Sequence, residues 1–167
     1  MLRRVEVDEA IPEVEIAPRI LNELCAYARE SLPEECCGLI LSDDRDRFGR
    51  VVRCRNVMTA RHHEDPVNYP RDARQAYFMS PEDYQLAQKE ADLAGERITA
   101  VYHSHVDSRA YLSEMDLEYA EHKGFPFPDA DQIVIAVFEG KVHSLALFQR
   151  EEPGKGFNGR RIAWGGS

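Results

Sequence analysis

Two histidines separated by one residue, His103 and His105, are the pair whose spacing most directly allows chemistry. In an extended strand side chains alternate faces, so both imidazoles point the same way and can share one ion, while Ser104 faces the other side. Asp116 lies eleven residues after His105. The turn-rich stretch from Asp107 to Tyr111 gives the chain room to bring that carboxylate back against the histidines. Two neutral imidazoles and one carboxylate suit zinc in a catalytic role, because three protein ligands leave the fourth tetrahedral position open to water. Zinc brings the pKa of such a water towards neutrality and polarises a carbonyl. The chemistry also needs a proton acceptor. Glu34 and Glu35 are the candidates, and Glu35 is favoured because it stands at the mouth of the apolar strand Cys36 to Leu41.

The elements that must position these residues follow from periodicity. Pro18 to Leu32 reads as a helix with one apolar face, stopped by Pro33. Residues 35–41 and 51–57 read as an antiparallel pair across an Asp/Arg-rich turn. Residues 58–74, with the pair His62-His63, read as a long polar loop, and 76–79 as a short strand. Ser80-Pro81-Glu82-Asp83 opens a helix that runs to about Leu93 and stops near Gly95. Residues 98–102 form a strand that delivers the histidines at its C-terminal end. Ser113-Glu114-Met115-Asp116 is a second helix start, and a capping box is a complete structural explanation of Ser113 and Asp116. Residues 132–138 and 141–148 form a hairpin across Glu139-Gly140. The expected class is α+β, a mixed α/β domain over residues 1–150, followed by a Gly-rich tail, 151–167, in which 161–164 could add an edge strand.

Composition narrows the classes. A chain of 167 residues supports one core, and 43% apolar with 31% charged residues is ordinary for a soluble protein. The net charge of −9 argues against a nucleic-acid phosphate backbone as main partner. No apolar run is long enough to span a bilayer. Arg3 and Arg4 give way to an acidic stretch rather than a secretory signal, so a cytoplasmic location is expected. The four cysteines, at 25, 36, 37 and 54, contain no CxxC pair and read as buried thiols.

The series His103-Ser104-His105, seven residues, Ser113, two residues, Asp116 resembles the signature of the JAMM (MPN-plus, Mov34/PAD-1) metallopeptidase family. Pro33-Glu34-Glu35-Cys36-Cys37-Gly38-Leu39 is similar to that family's Pro-x-Glu-x-Cys-Gly-Leu segment. The resemblance spans roughly residues 15–148 and is that of the family's prokaryotic single-domain branch. It implies one zinc per chain on His103, His105 and Asp116, with Glu35 as general base and Ser113 hydrogen-bonding near the oxyanion. It also implies a mostly antiparallel mixed sheet flanked by helices, similar to cytidine deaminase in outline. The implied reaction is hydrolysis of a peptide or isopeptide bond after the Gly-Gly tail of a ubiquitin-like or sulfur-carrier protein. The 60–71 and 124–131 segments would frame that tail. Val106 departs from the pattern, since many members carry proline there.

Two readings compete with the peptidase: a non-catalytic MPN-like scaffold or binding module, and a thiol hydrolase using Cys36 or Cys37. Whether the chain forms homo-oligomers is open. The ending Trp164-Gly165-Gly166-Ser167 reads either as a frayed terminus or as an internal mimic of a substrate tail. His62 and His63 read as loop residues or a second metal site, and His122 and His143 as structural or surface residues.

Overall fold

The computed structural model describes residues 3–150, 152 and 156–166. Ten elements follow in order: α1 (Pro18–Glu30), β1 (Cys37–Ser42), β2 (Arg50–Cys54), α2 (Met58–Glu64), α3 (Pro81–Ala94), β3 (Arg97–Val106), α4 (Glu114–Glu121), β4 (Asp131–Phe138), β5 (Lys141–Arg150) and β6 (Phe157–Arg161). The strands make one sheet in the order β2-β1-β3-β4-β5-β6. Every neighbouring pair is antiparallel except β3 and β4, which run parallel because the chain crosses back through α4 between them. The mixed α/β class and mostly antiparallel sheet are those expected.

Helices cover both faces. Ile20, Leu21, Leu24, Cys25 and Ala28 of α1 recur at helical spacing and bury against Ile40, Tyr102, Ile133 and Leu145. Full burial of each large aliphatic side chain contributes about 1.5–3 kcal/mol relative to exposure. On the opposite face Ala87 and Ala91 of α3 pack on Leu39, Leu41 and Val101. Beside them Leu117 and Ala120 of α4 pack on Val134, Ala136 and Phe148. The period of two in β3 therefore sends Ala100 and Tyr102 to the α1 side and Val101 to the α3 side. Gly38 is required where β1 passes under Tyr102: a Cβ there would collide with the Val52 carbonyl and the Tyr102 hydroxyl, which are hydrogen-bonded at 2.9 Å.

Several boundaries differ from the sequence expectation. Part of the anticipated 58–74 loop is the helix α2, whose start is fixed by Asn56 Oδ1 accepting from Met58 N–H at 3.1 Å. Only Met58 of this helix is buried, so it shows no apolar period. The strand expected at 76–79 reduces to a single bridge between Met79 and Asn56. Strand β3 carries both histidines at its C-terminal end, as expected, and runs on to Val106. The last edge strand is formed by 157–161, not 161–164. Trp164 packs against the α1-side core, and Gly165 and Gly166 are exposed. Ser167 lies outside the described residues.

Both expected helix starts are realised. Ser80 accepts from Asp83 N–H at 3.3 Å, and Gly95 closes α3 in the left-handed region at φ 68°. Glu139 and Gly140, both with positive φ, make the two-residue turn between β4 and β5. No helix among the described residues is long and apolar enough to cross a membrane.

Candidate metal centre

Strand alternation places His103 and His105 on the face opposite α1, and α4 delivers Asp116 in its first turn. His103 Nε2 and His105 Nε2 lie 3.2 Å apart. Asp116 Oδ2 is 3.2 Å from the first and 3.1 Å from the second. The three atoms form a nearly equilateral triangle. Zinc bonds of about 2.0–2.1 Å in a tetrahedral arrangement separate ligand atoms by about 3.3 Å, so this donor set fits that ion with little adjustment. All three residues are buried, and together they form a cluster able to hold a metal ion.

The capping box and the candidate ligand set share one residue, Asp116. Ser113 Oγ accepts from Asp116 N–H at 3.1 Å, and Asp116 Oδ2 accepts from Ser113 N–H at 3.0 Å. The oxygen that completes the cap is the one facing both imidazoles. Burial would raise the Asp116 carboxyl, but His103 and His105 outweigh it and hold the group far below the usual carboxylate range. Burial lowers His103, and Asp116 offsets only part of that. Burial also acts to lower His105, yet the adjacent Asp116 carboxylate prevails and pushes it up to about 9. His105 Nδ1–H donates to the Arg109 carbonyl at 2.9 Å, which leaves Nε2 to face the cluster. His103 is clamped by stacking on Tyr77, with ring centroids 4.4 Å apart.

Glu35 arrives from the other side. Its N–H donates to the Ala73 carbonyl at 2.8 Å, and its carbonyl accepts from Asn56 Nδ2 at 3.0 Å. The side chain is only 6% exposed, and its Oε1 has no hydrogen-bond partner. Burial holds this carboxyl well above its ordinary pKa. Glu35, His105, Ser113 and Asp116 line one cleft of about 280 Å³, with Arg71 and Arg74 on its wall. A second, more apolar pocket of about 420 Å³ adjoins it across Arg71 and Met115. Residues 68–71 and 124–126 both line this pocket, which brings together the two segments singled out as framing a substrate tail.

The other candidates lie elsewhere. His62 Nδ1–H donates to the Tyr69 carbonyl at 2.6 Å, and neither His62 nor His63 joins a metal-capable cluster among the described residues. Cys36 and Cys37 are buried, and burial pushes the Cys36 thiol up to about 12 and Cys37 well above its usual value. A thiolate nucleophile is therefore disfavoured at neutral pH. Trp164 packs on the sheet face opposite the cleft, and no described tail residue lines the cleft. Sequence reasoning missed Asn56, Tyr77 and the Arg109 carbonyl. Each acts through a contact that no local motif encodes.

Comparison with known proteins identifies the family. Residues 17–152 match the family model of prokaryotic homologues of the JAB domain. Proteins named CysO-cysteine peptidase from Mycobacterium tuberculosis and Mycobacterium bovis are 25% identical over 131 residues, covering 78% of this chain and 77% of theirs. A Salinibacter ruber solution structure superposes with a TM-score of 0.60 at 24% identity, covering 89% of this chain and 90% of that one. A Desulfitobacterium hafniense structure gives 0.57 at 21%, covering 92% and 93%. With most of its length matched, from α1 to the end of β5, the chain belongs to the prokaryotic JAB-domain family.

Proposed function

We propose that this protein is a zinc-dependent peptidase that hydrolyses the bond after the C-terminal glycine of a ubiquitin-fold sulfur carrier. The observation that carries the reading is the triangle of His103, His105 and Asp116, two of whose members, His105 and Asp116, line one cleft with the buried carboxyl of Glu35. Membership of the JAB family supports hydrolysis, and the CysO-cysteine peptidases among its relatives supply a named substrate type. The catalytic unit we assign is residues 1–150, edged by β6.

His103, His105 and Asp116 would hold the ion. Zinc there supplies a Lewis acid that acidifies a water and polarises the scissile carbonyl. Glu35 accepts a proton from the attacking water as its oxygen bonds to the carbonyl carbon, then delivers it to the amine nitrogen as the C–N bond breaks. Its buried setting raises its affinity for the proton it accepts. Ser113 Oγ already accepts from Asp116 N–H, so its own hydrogen is available to the developing oxyanion. The products are a carrier ending in a glycine carboxylate and a free amine.

Purified protein should contain about one zinc per chain and cleave a carrier extended beyond Gly-Gly, detected by mass. Glu35→Gln should keep the zinc and lose about 10²–10⁴ in kcat. Full activity of Glu35→Gln would remove the assigned base.

A further inference from the structure

Arg71 and Arg74 stand out among the arginines of this chain. Arg50, Arg53, Arg55 and Arg109 are committed to ion pairs with carboxylates. Arg71 and Arg74 have no ion-pair or hydrogen-bond partner for their guanidinium groups among the described residues, yet both line the cleft that holds Glu35 and Asp116. Their placement is built rather than incidental. The intervening Ala73 accepts from Glu35 N–H at 2.8 Å and donates to Thr59 Oγ1 at 3.0 Å, so the segment is tied to the backbone of the proposed base.

Resting on the hydrolase reading above, we infer that Arg71 and Arg74 bind the free α-carboxylate of a single amino acid leaving from the carrier's C-terminus, so the enzyme removes one residue rather than opening a lysine isopeptide. Chain geometry makes this specific. One residue spans about 3.8 Å, so the carboxylate of a lone leaving residue must lie in the same cleft as the scissile carbonyl. Glu35, ionised when it serves as base, lines that cleft and would repel such an anion unless a cation stood beside it. Arginine presents a planar fork matched to a carboxylate, and two of them are placed where the charge must sit. A lysine side-chain amine brings methylenes, not an anion, to this position, and offers the two guanidinium groups no carboxylate to bind. The reaction balances as a hydrolysis: water adds across the C–N bond, giving the carrier glycine carboxylate and a free amino acid.

The test uses a Gly-Gly-ending sulfur carrier extended by one cysteine, as the free acid and as the C-terminal amide, plus the same carrier on the Nε of an amidated lysine. Wild-type enzyme should favour the acid by about tenfold to about a hundredfold in kcat/KM over both others, chiefly through KM. In R71Q/R74Q the acid-to-amide ratio should fall toward one. Equal cleavage of acid and amide by wild type would overturn the inference and leave the hydrolase standing, as would an undiminished preference in the double variant. Binding to zinc-loaded E35Q separates the two levels. Acid-selective binding abolished by R71Q/R74Q, without turnover by wild type, would keep the carboxylate site and sink the hydrolytic reading; equal binding of acid and amide would sink the site.

Discussion

On the α1 side of β3, Tyr102 donates to the Val52 carbonyl and Ser104 Oγ accepts from Cys36 N–H at 2.7 Å, so each buried polar group has its partner. On the other side, one residue along in each case, His103 and His105 aim their Nε2 atoms at each other and at Asp116. Around them His103 Nδ1, Tyr77 OH and Glu35 Oε1 are buried without a partner. A single strand thus presents a satisfied face and an unsatisfied one. Native interiors rarely tolerate unpaired polar atoms, because each costs about 1–3 kcal/mol. Their concentration on one face marks it as the candidate site independently of any motif.

Breaking the unsatisfied face should abolish function with little cost to the fold. The double substitution His103→Ala, His105→Ala should reduce bound zinc from about one to below about 0.1 per chain, read by metal analysis, and lower kcat/KM by at least about 10³. Retained zinc would sink the ligand assignment. Breaking the satisfied face should do the reverse. Ser104→Ala leaves the buried Cys36 N–H without its side-chain acceptor and should cost about 1–3 kcal/mol in urea unfolding, with zinc content unchanged. A stability loss accompanied by loss of zinc would show the two faces to be coupled.

The contrast also explains what was legible in the sequence. His103 and His105 were readable because a period of two is local, and Ser113 and Asp116 because a capping box spans four residues. Cap and ligand were read as roles that Asp116 can combine, and one oxygen accepts from the Ser113 N–H while facing the imidazoles. Asn56, 21 residues from Glu35, holds its carbonyl, and Tyr77 stacks on His103 across the α3 segment. Such contacts arise only when the sheet forms, and no spacing announces them. Helix α2 was hidden for a different reason: with Met58 its only buried residue, it has no apolar stripe to read. The face order of β3 was therefore visible from sequence, whereas the groups that hold it in place were not.

Tyr77 sharpens the comparison with a smaller effect of opposite sign. Its hydroxyl is buried and unpartnered, and burial keeps it protonated well above its ordinary range. Tyr77→Phe preserves the ring that stacks on His103 and removes the orphan group, so it should raise stability by up to about 1 kcal/mol. A rise in stability with a fall in activity would assign the hydroxyl to substrate; a fall in stability would mean that it has a partner in solution.

The smallest effect is expected where the N-terminal segment straps the loop behind His105. Val5 and Leu112 exchange two backbone hydrogen bonds of 3.0 Å, and Glu6 pairs with Arg109, whose carbonyl accepts from His105. The backbone pair and the ion pair thus restrain one loop, but they differ in kind. Arg109 and Glu6 are about half exposed, so solvent screens their attraction and the long side chains lose entropy in meeting. Glu6→Gln should therefore cost only about 0.2–1 kcal/mol and shift zinc affinity by less than about threefold, measured by competition with a chromogenic chelator. A loss of tenfold or more would mean that this surface pair, rather than the Val5–Leu112 bridge, sets the position of the carbonyl that orients His105.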